Sequence, residues 1–307
     1  MVRIIAYLVI YIVSISAAFA QLNTEEITIY NKEIELPGTL TFSAENQPLI
    51  IWMHGSGQID RNGNQPAQNV KANYIQQFRE AVNKEGIAFF SYDKRTANPK
   101  NKHLLKNTLV RDFAVDAEAV VNHFKNDKRF TKIILAGHSQ GSLIAMLASK
   151  NVDKYISIAG AGETIDKTII KQISKNNPTL GEAAQKQFDT LRMKRKIKTV
   201  NPFLVSIFAK PNQSFLLSWM EINPTIEIKK LEIPVLILNG DKDMQVKIED
   251  ANALKSAKPT AHFAIIKNMN HVLKTIEKEE DNMKSYFSPD FPISEELIKT
   301  VVSFVKK

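Results

Sequence analysis

Short apolar runs and segments with apolar positions three or four residues apart take turns along most of the chain. Residues 48–53, 88–92, 133–136, 155–159, 234–238 and 262–266 are nearly continuous apolar runs, the mark of strands buried on both faces. Between them, 74–85 sets Ile75, Phe78 and Val82 on one helical face. The stretch from Leu109 to about Asn126 does the same with Phe113, Val120, Val121 and Phe124. Residues 142–150 and 251–258 are further helical stretches, and Ser294 is the expected N-cap of a last helix ending at Val305. Strands alternating with helices predict an α/β fold with a mostly parallel central sheet and helices on both faces. Ahead of it, 27–30 and 34–36 flank Asn31-Lys32 as a hairpin, and Pro37-Gly38 is expected to break the second strand before 40–42 resumes it.

Two stretches depart from this alternation. From 163 to about 230 strand signals stop and helical patterns dominate, at 165–173, 181–197, 203–208 and from an N-cap at Ser214 to about Ile222. This predicts a helical cap inserted into a core made of 21–162 and 231–307. Residues 1–20 carry Arg3, an apolar run over 4–15 and then Ala18-Phe19-Ala20, the order of a secretory signal peptide. Cleavage would leave a mature chain starting near Gln21, exported to the periplasm or medium. No other stretch is long and apolar enough to span a bilayer.

The absence of cysteine among 307 residues excludes a thiol nucleophile, a disulfide framework and cysteine-ligated metals. The net charge of +9 changes the picture little, because the lysines are spread along the whole chain. One dense run, 192–198 (RMKRKIK), reads as the solvated end of a helix, with a docking patch for an acidic partner as the alternative. No nucleic-acid motif accompanies it, so no nucleic-acid partner is expected.

Candidate chemistry sits where strands end. Residues 137–141 read G-H-S-Q-G between a strand and a helix, a turn that projects the Ser139 hydroxyl beyond the strand. The helix N-terminus then faces the point where negative charge develops in acyl transfer. Ser139, Asp243 and His271 each lie just past a strand end, where open parallel sheets bind ligands. A serine hydroxyl needs a base, an imidazole titrating near neutrality can serve, and a carboxylate can orient that imidazole. Among the histidines, His123 falls in a helix, His262 at a strand start, and His138 beside the serine is expected to point elsewhere. His271 alone follows both the last strand and a candidate acid. Asp243 is preferred to Asp241 because Gly240 before it and Val246 after it suit a turn carrying the carboxylate past the strand.

The expected oxyanion donors are the backbone N–H groups of Gln140 and Ser56, with Gly57 as the alternate to Ser56. His54 and His103 have no ligand-spaced carboxylates, so no metal is expected. Gly55-x-Gly57 lacks the third glycine and helix of a dinucleotide loop, so no cofactor is expected either. Phe208, Phe215 and Trp219, with Phe203, Leu204 and Leu216, are candidates to line an acyl or aromatic pocket, against the alternative of packing the cap on the core. Arg61, Lys94 and Arg95 are candidates to meet an acidic substrate group, against simple solvation.

The stretches GHSQG, HGSGQIDRNG, SYDKRT and LNGDKDMQV followed by NMNH resemble α/β-hydrolases of the exported bacterial esterase type. They are similar to dienelactone-hydrolase-like and cinnamoyl-esterase-like enzymes and to serine aminopeptidases, over residues 36–307. The resemblance implies a Ser139–Asp243–His271 triad, an oxyanion hole at Gln140 and Ser56, a small-molecule ester as substrate and no cofactor. Two features depart from it. Thr96-Ala97-Asn98-Pro99 stand where such families often carry more glycine and serine, and the cap matches no pattern of the family. A peptidase or amidase is the nearest alternative, with Glu163 or Asp166 holding a substrate ammonium. A catalytically silent hydrolase fold acting as a binding module is the other.

Overall fold

A computed structural model describes residues 22–307, so the leader expected at 1–20 lies outside the described residues. Eight strands form one sheet: β1 (Asn23–Asn31), β2 (Ile34–Phe42), β3 (Gln47–Met53), β4 (Ala88–Tyr92), β5 (Phe130–His138), β6 (Lys154–Ile158), β7 (Val235–Gly240) and β8 (His262–Ile266). Their order is β1-β2-β4-β3-β5-β6-β7-β8, with β1 and β2 antiparallel and every pair from β4 onward parallel. The continuous apolar runs follow from this arrangement. Leu49, Ile51 and Met53 of β3 face one buried cluster, and Ile50 and Trp52 face the other.

Helices α1 (Tyr74–Lys84), α2 (Val110–Phe124) and α3 (Gln140–Leu147) follow β3, β4 and β5. Five more lie between β6 and β7: α4 (Ile165–Asn176), α5 (Pro178–Lys194), α6 (Val205–Phe208), α7 (Gln213–Met220) and α8 (Pro224–Lys229). The chain ends with α9 (Ile248–Ala257), α10 (Glu279–Lys284) and α11 (Glu295–Lys306), and the Ser294 hydroxyl accepts from the Leu297 amide as the N-cap of α11. Phe78 of α1 and Val301 of α11 cover one face of the sheet, while Phe113 of α2, Leu143 of α3 and Leu254 of α9 cover the other.

Three local expectations are corrected. β2 runs unbroken through Pro37-Gly38, because the Pro37 carbonyl accepts from the Asp93 amide at 2.7 Å and Gly38 lies under the Phe90 ring. A Cβ on Gly38 would stand 2.4 Å from Phe90, so that glycine serves close packing and not a turn. α5 starts at Pro178, ahead of the expected 181, since the Asn177 side chain accepts from the Leu180 amide at 3.0 Å and proline occupies the first turn. Ser214 lies inside α7, whose N-cap is Asn212; a tight turn at Lys210–Asn212 runs straight into that helix.

Candidate active site

The turn after β5 owes its sequence to steric necessity. Ser139 sits at φ 54° and ψ −120°, a conformation strained for any residue with a Cβ. A Cβ on Gly137 would stand 2.2 Å from the Gly141 carbonyl oxygen, and one on Gly141 would stand 2.1 Å from that of Met53. Both glycines are therefore required by backbone-to-backbone contact. The elbow is held by the Ser139 amide donating to the Ile158 carbonyl of β6 at 3.0 Å.

The loops after β7 and β8 meet beside it. His271 Nδ1 donates to Asp243 Oδ2 at 2.7 Å, and both side chains are buried. The other carboxylate oxygen, Oδ1, accepts from the Gln245 and Val246 amides at 2.7 and 2.9 Å. Asp243 is thus fixed on one side by the backbone and aimed on the other at the imidazole. Gly240 lets the two loops touch, because a Cβ there would stand 1.9 Å from the Met269 carbonyl oxygen. Asp241 makes no side-chain contact with His271 among the hydrogen bonds of the described residues.

His138, expected to point elsewhere, instead packs against the His271 loop and lines the same cavity. Its Nε2 lies 2.7 Å from the His271 carbonyl oxygen, and the two rings are 4.8 Å apart. A carbonyl only accepts, so Nε2 carries the proton and Nδ1 accepts from the Tyr74 hydroxyl at 3.4 Å. Burial, helped by the neighbouring His271, pushes the His138 pKa down to about 3, so the ring stays neutral. No sequence signal reaches this contact, which spans 133 residues.

The loop after β3 is pinned from behind. Lys94 Nζ donates to the Gly55 carbonyl at 2.7 Å and to Gln140 Oε1 at 2.6 Å, and the Thr96 hydroxyl donates to the Gly57 carbonyl at 3.0 Å. Gly57 itself adopts φ 102°, which favours glycine. Burial pushes the Lys94 pKa down to about 7, against the pull of Asp116. The loop that departs from the resembling families therefore supports the serine site from below.

Ser139, His271, Ser56 and Gln140 all line one cavity of about 740 Å³. Among the hydrogen bonds of the described residues none joins Ser139 to His271. Its far wall comes from the helices between β6 and β7, including Ile165, Ile169, Ile207, Phe215, Leu216 and Trp219. Thr168 and Tyr286 also line it, each with a buried hydroxyl lacking a hydrogen-bond partner. Neither carried a sequence signal.

Six expected pocket residues lie elsewhere: Phe203 is exposed to solvent, and Leu204 is buried in the helical segment's own apolar cluster. Arg61 is held by Asp93, with Nε to Oδ1 at 3.0 Å, and by Glu26, at the sheet's edge. Phe208 is fully buried against Phe188, ring centroids 4.6 Å apart, inside the helical segment. Lys94 and Arg95 are both buried, the latter in an ion pair with Asp116 at 2.6 Å. Glu163 lines the cavity but pairs with Lys171 at 2.6 Å, and Asp166 pairs with Arg192. Among the described residues no group of three or more histidines and carboxylates is arranged to hold a metal ion, and no helix is long and apolar enough to cross a membrane.

Comparison with known proteins supports the same architecture. Esterase EstD of Thermotoga maritima is 25% identical over 250 residues, covering 78% of this chain. The aligned part spans only 58% of that relative's length. Among solved structures, Est1E from Butyrivibrio proteoclasticus superposes with a TM-score of 0.56 at 18% identity, over 92% of this chain and 96% of that one. The Pyrococcus furiosus esterase Pf2001 superposes with a TM-score of 0.60 at 18% identity, over 93% and 91%. At such identities these likenesses show the fold. A model of the BD-FAE family matches residues 39–257, more than half of the chain. The chain belongs to the BD-FAE family.

Proposed function

We propose that the protein is an exported serine hydrolase that cleaves small carboxylic esters through an acyl-enzyme. The observation that carries this reading is the buried Asp243–His271 pair facing the same cavity as Ser139 on its strained elbow. His271 takes the Ser139 proton through Nε2 as the hydroxyl oxygen attacks the ester carbonyl, and it returns that proton to the leaving alcohol. Asp243 fixes the tautomer with Nδ1 protonated and stabilises the imidazolium. The backbone N–H groups of Ser56 and Gln140 receive the oxyanion, and water then releases the acid by the same route. Phe215, Leu216 and Trp219 form the apolar wall against which an acyl group rests.

EstD and Pf2001 are both named as esterases, and Est1E is described in one structure with ferulic acid bound. The peptidase alternative loses support because Glu163 and Asp166, its candidate ammonium ligands, are already engaged by cations. Assays with p-nitrophenyl esters of several chain lengths, feruloyl esters and aminoacyl-nitroanilides, with Ser139→Ala as control, test the reading. Ester turnover abolished by Ser139→Ala is expected. Turnover that survives the substitution, or that is confined to the anilides, would overturn it. Expression of the full chain with N-terminal sequencing of the exported product tests export, with a start near Gln21 expected.

A further inference from the structure

We infer that Lys94 is a positioning residue for the oxyanion hole, locking the two loops that supply its N–H groups; this rests on the serine-hydrolase reading above. The geometry is specific. The Lys94 side chain is buried, and its Nζ donates to the Gly55 carbonyl at 2.7 Å and to Gln140 Oε1 at 2.6 Å. It also lies over the Phe113 ring, 4.6 Å from the centroid. The Gly55 carbonyl and Gln140 Oε1 are both acceptors, so each takes one Lys94 N–H.

The Gly55 carbonyl and the Ser56 N–H belong to one peptide unit. That unit is planar and trans, so its N–H points opposite to its carbonyl. A donor fixed on the carbonyl side therefore turns the Ser56 N–H away from Lys94. It also polarises the amide, which makes that N–H a stronger donor. The second contact restrains the side chain of Gln140, whose own backbone N–H is the other donor, at the start of α3. One side chain from the loop after β4 thus ties β3's loop to the nucleophile elbow. Removing it leaves every group that touches substrate in place but unpins their spacing.

The test is Lys94→Met, which keeps length and apolar volume and deletes the donors. Active sites are counted by fluorophosphonate titration, so that misfolded molecules drop out of kcat. A fall in kcat per titrated site of about 10–100-fold is expected, because a displaced oxyanion donor costs about that much or more. KM is expected to stay within about twofold, as for a loss felt only in the transition state. Affinity for a trifluoromethyl ketone, whose hydrate-like adduct with Ser139 carries the oxyanion, is expected to fall in step with kcat/KM. Lys94→Gln, which retains one donor group, is expected to lie between and takes the place of Lys94→Met if that chain does not fold. Unchanged kcat per site and unchanged ketone affinity, with only stability or site count reduced, would overturn the inference and leave Lys94 a structural residue. Wild-type protein that neither turns over esters nor is titrated would instead remove the hydrolase reading, and the inference with it.

Discussion

The strand ends and the helical segment between β6 and β7 bury their side chains under different rules. At the strand ends backbone touches backbone, and Gly137, Gly141 and Gly240 have no room for even one carbon. Polar groups there are paired across long sequence distances, as His138 is with the His271 carbonyl. The helical segment instead has its own apolar cluster, including Phe188, Leu191, Phe208 and Leu217, separate from the two that sandwich the sheet. It also leaves Met193, Phe203 and Val205 exposed. Close backbone packing fixes where reacting groups stand, whereas side-chain packing within helices tolerates many sequences. On the reading proposed above, chemistry belongs to the strand ends and the choice of acyl group to the helices.

The sharpest division between the regions comes from Asp243→Asn. The asparagine oxygen can still accept from the Gln245 and Val246 amides, which turns its NH₂ toward His271 Nδ1. Two donors then face each other, and the ring must adopt the wrong tautomer. A fall in kcat of about 10⁴-fold is expected, with the fold and the helical segment unchanged by circular dichroism and hydrogen exchange. Retention of more than a tenth of the activity would show that the carboxylate does not orient the base.

Phe208→Ala acts on the other region. Emptying this fully buried site is expected to cost about 3–5 kcal/mol, felt within the helical segment. Hydrogen exchange should accelerate over 163–230 while the β3 and β5 amides stay protected. Equal acceleration in both would mean that the segment is not a separate packing unit.

Acid should act on the core alone. His54 and His138 are held neutral with pKa values of about 3, chiefly by burial, against 6.5 for an exposed imidazole. The unfolded chain therefore binds two more protons than the folded one between those values. The stability they confer is full above about pH 6.5 and is lost as pH falls toward 3. The slope is about 2.7 kcal/mol per pH unit once both unfolded imidazoles are charged. Urea unfolding at pH 7.5, 6 and 5 measures it, and His54→Gln should halve the slope.

Most of the sheet was legible in the sequence because strands buried on both faces leave continuous apolar runs that few other structures require. The elbow was legible for a related reason: its glycines are demanded by sterics, so the pattern G-H-S-Q-G carries the geometry. What stayed hidden depends on partners far away in the chain. Arg61 is exposed-looking in its polar loop until Asp93 and Glu26 are seen to hold it. Lys94 reads as a solvated loop cation until β3 and α3 supply its acceptors. Phe208 and Phe215 are equally apolar on short helices, and only the fold decides that one packs inward while the other lines the cavity.

The central claim is that Ser139 forms the covalent intermediate. Treating the protein with a fluorophosphonate and mapping the adduct by peptide mass spectrometry tests it most directly. One adduct per chain on Ser139 is expected, lost in Ser139→Ala and slowed by about 10³-fold or more when His271 is replaced by alanine. An adduct on another residue, or labelling that persists in Ser139→Ala, would contradict it.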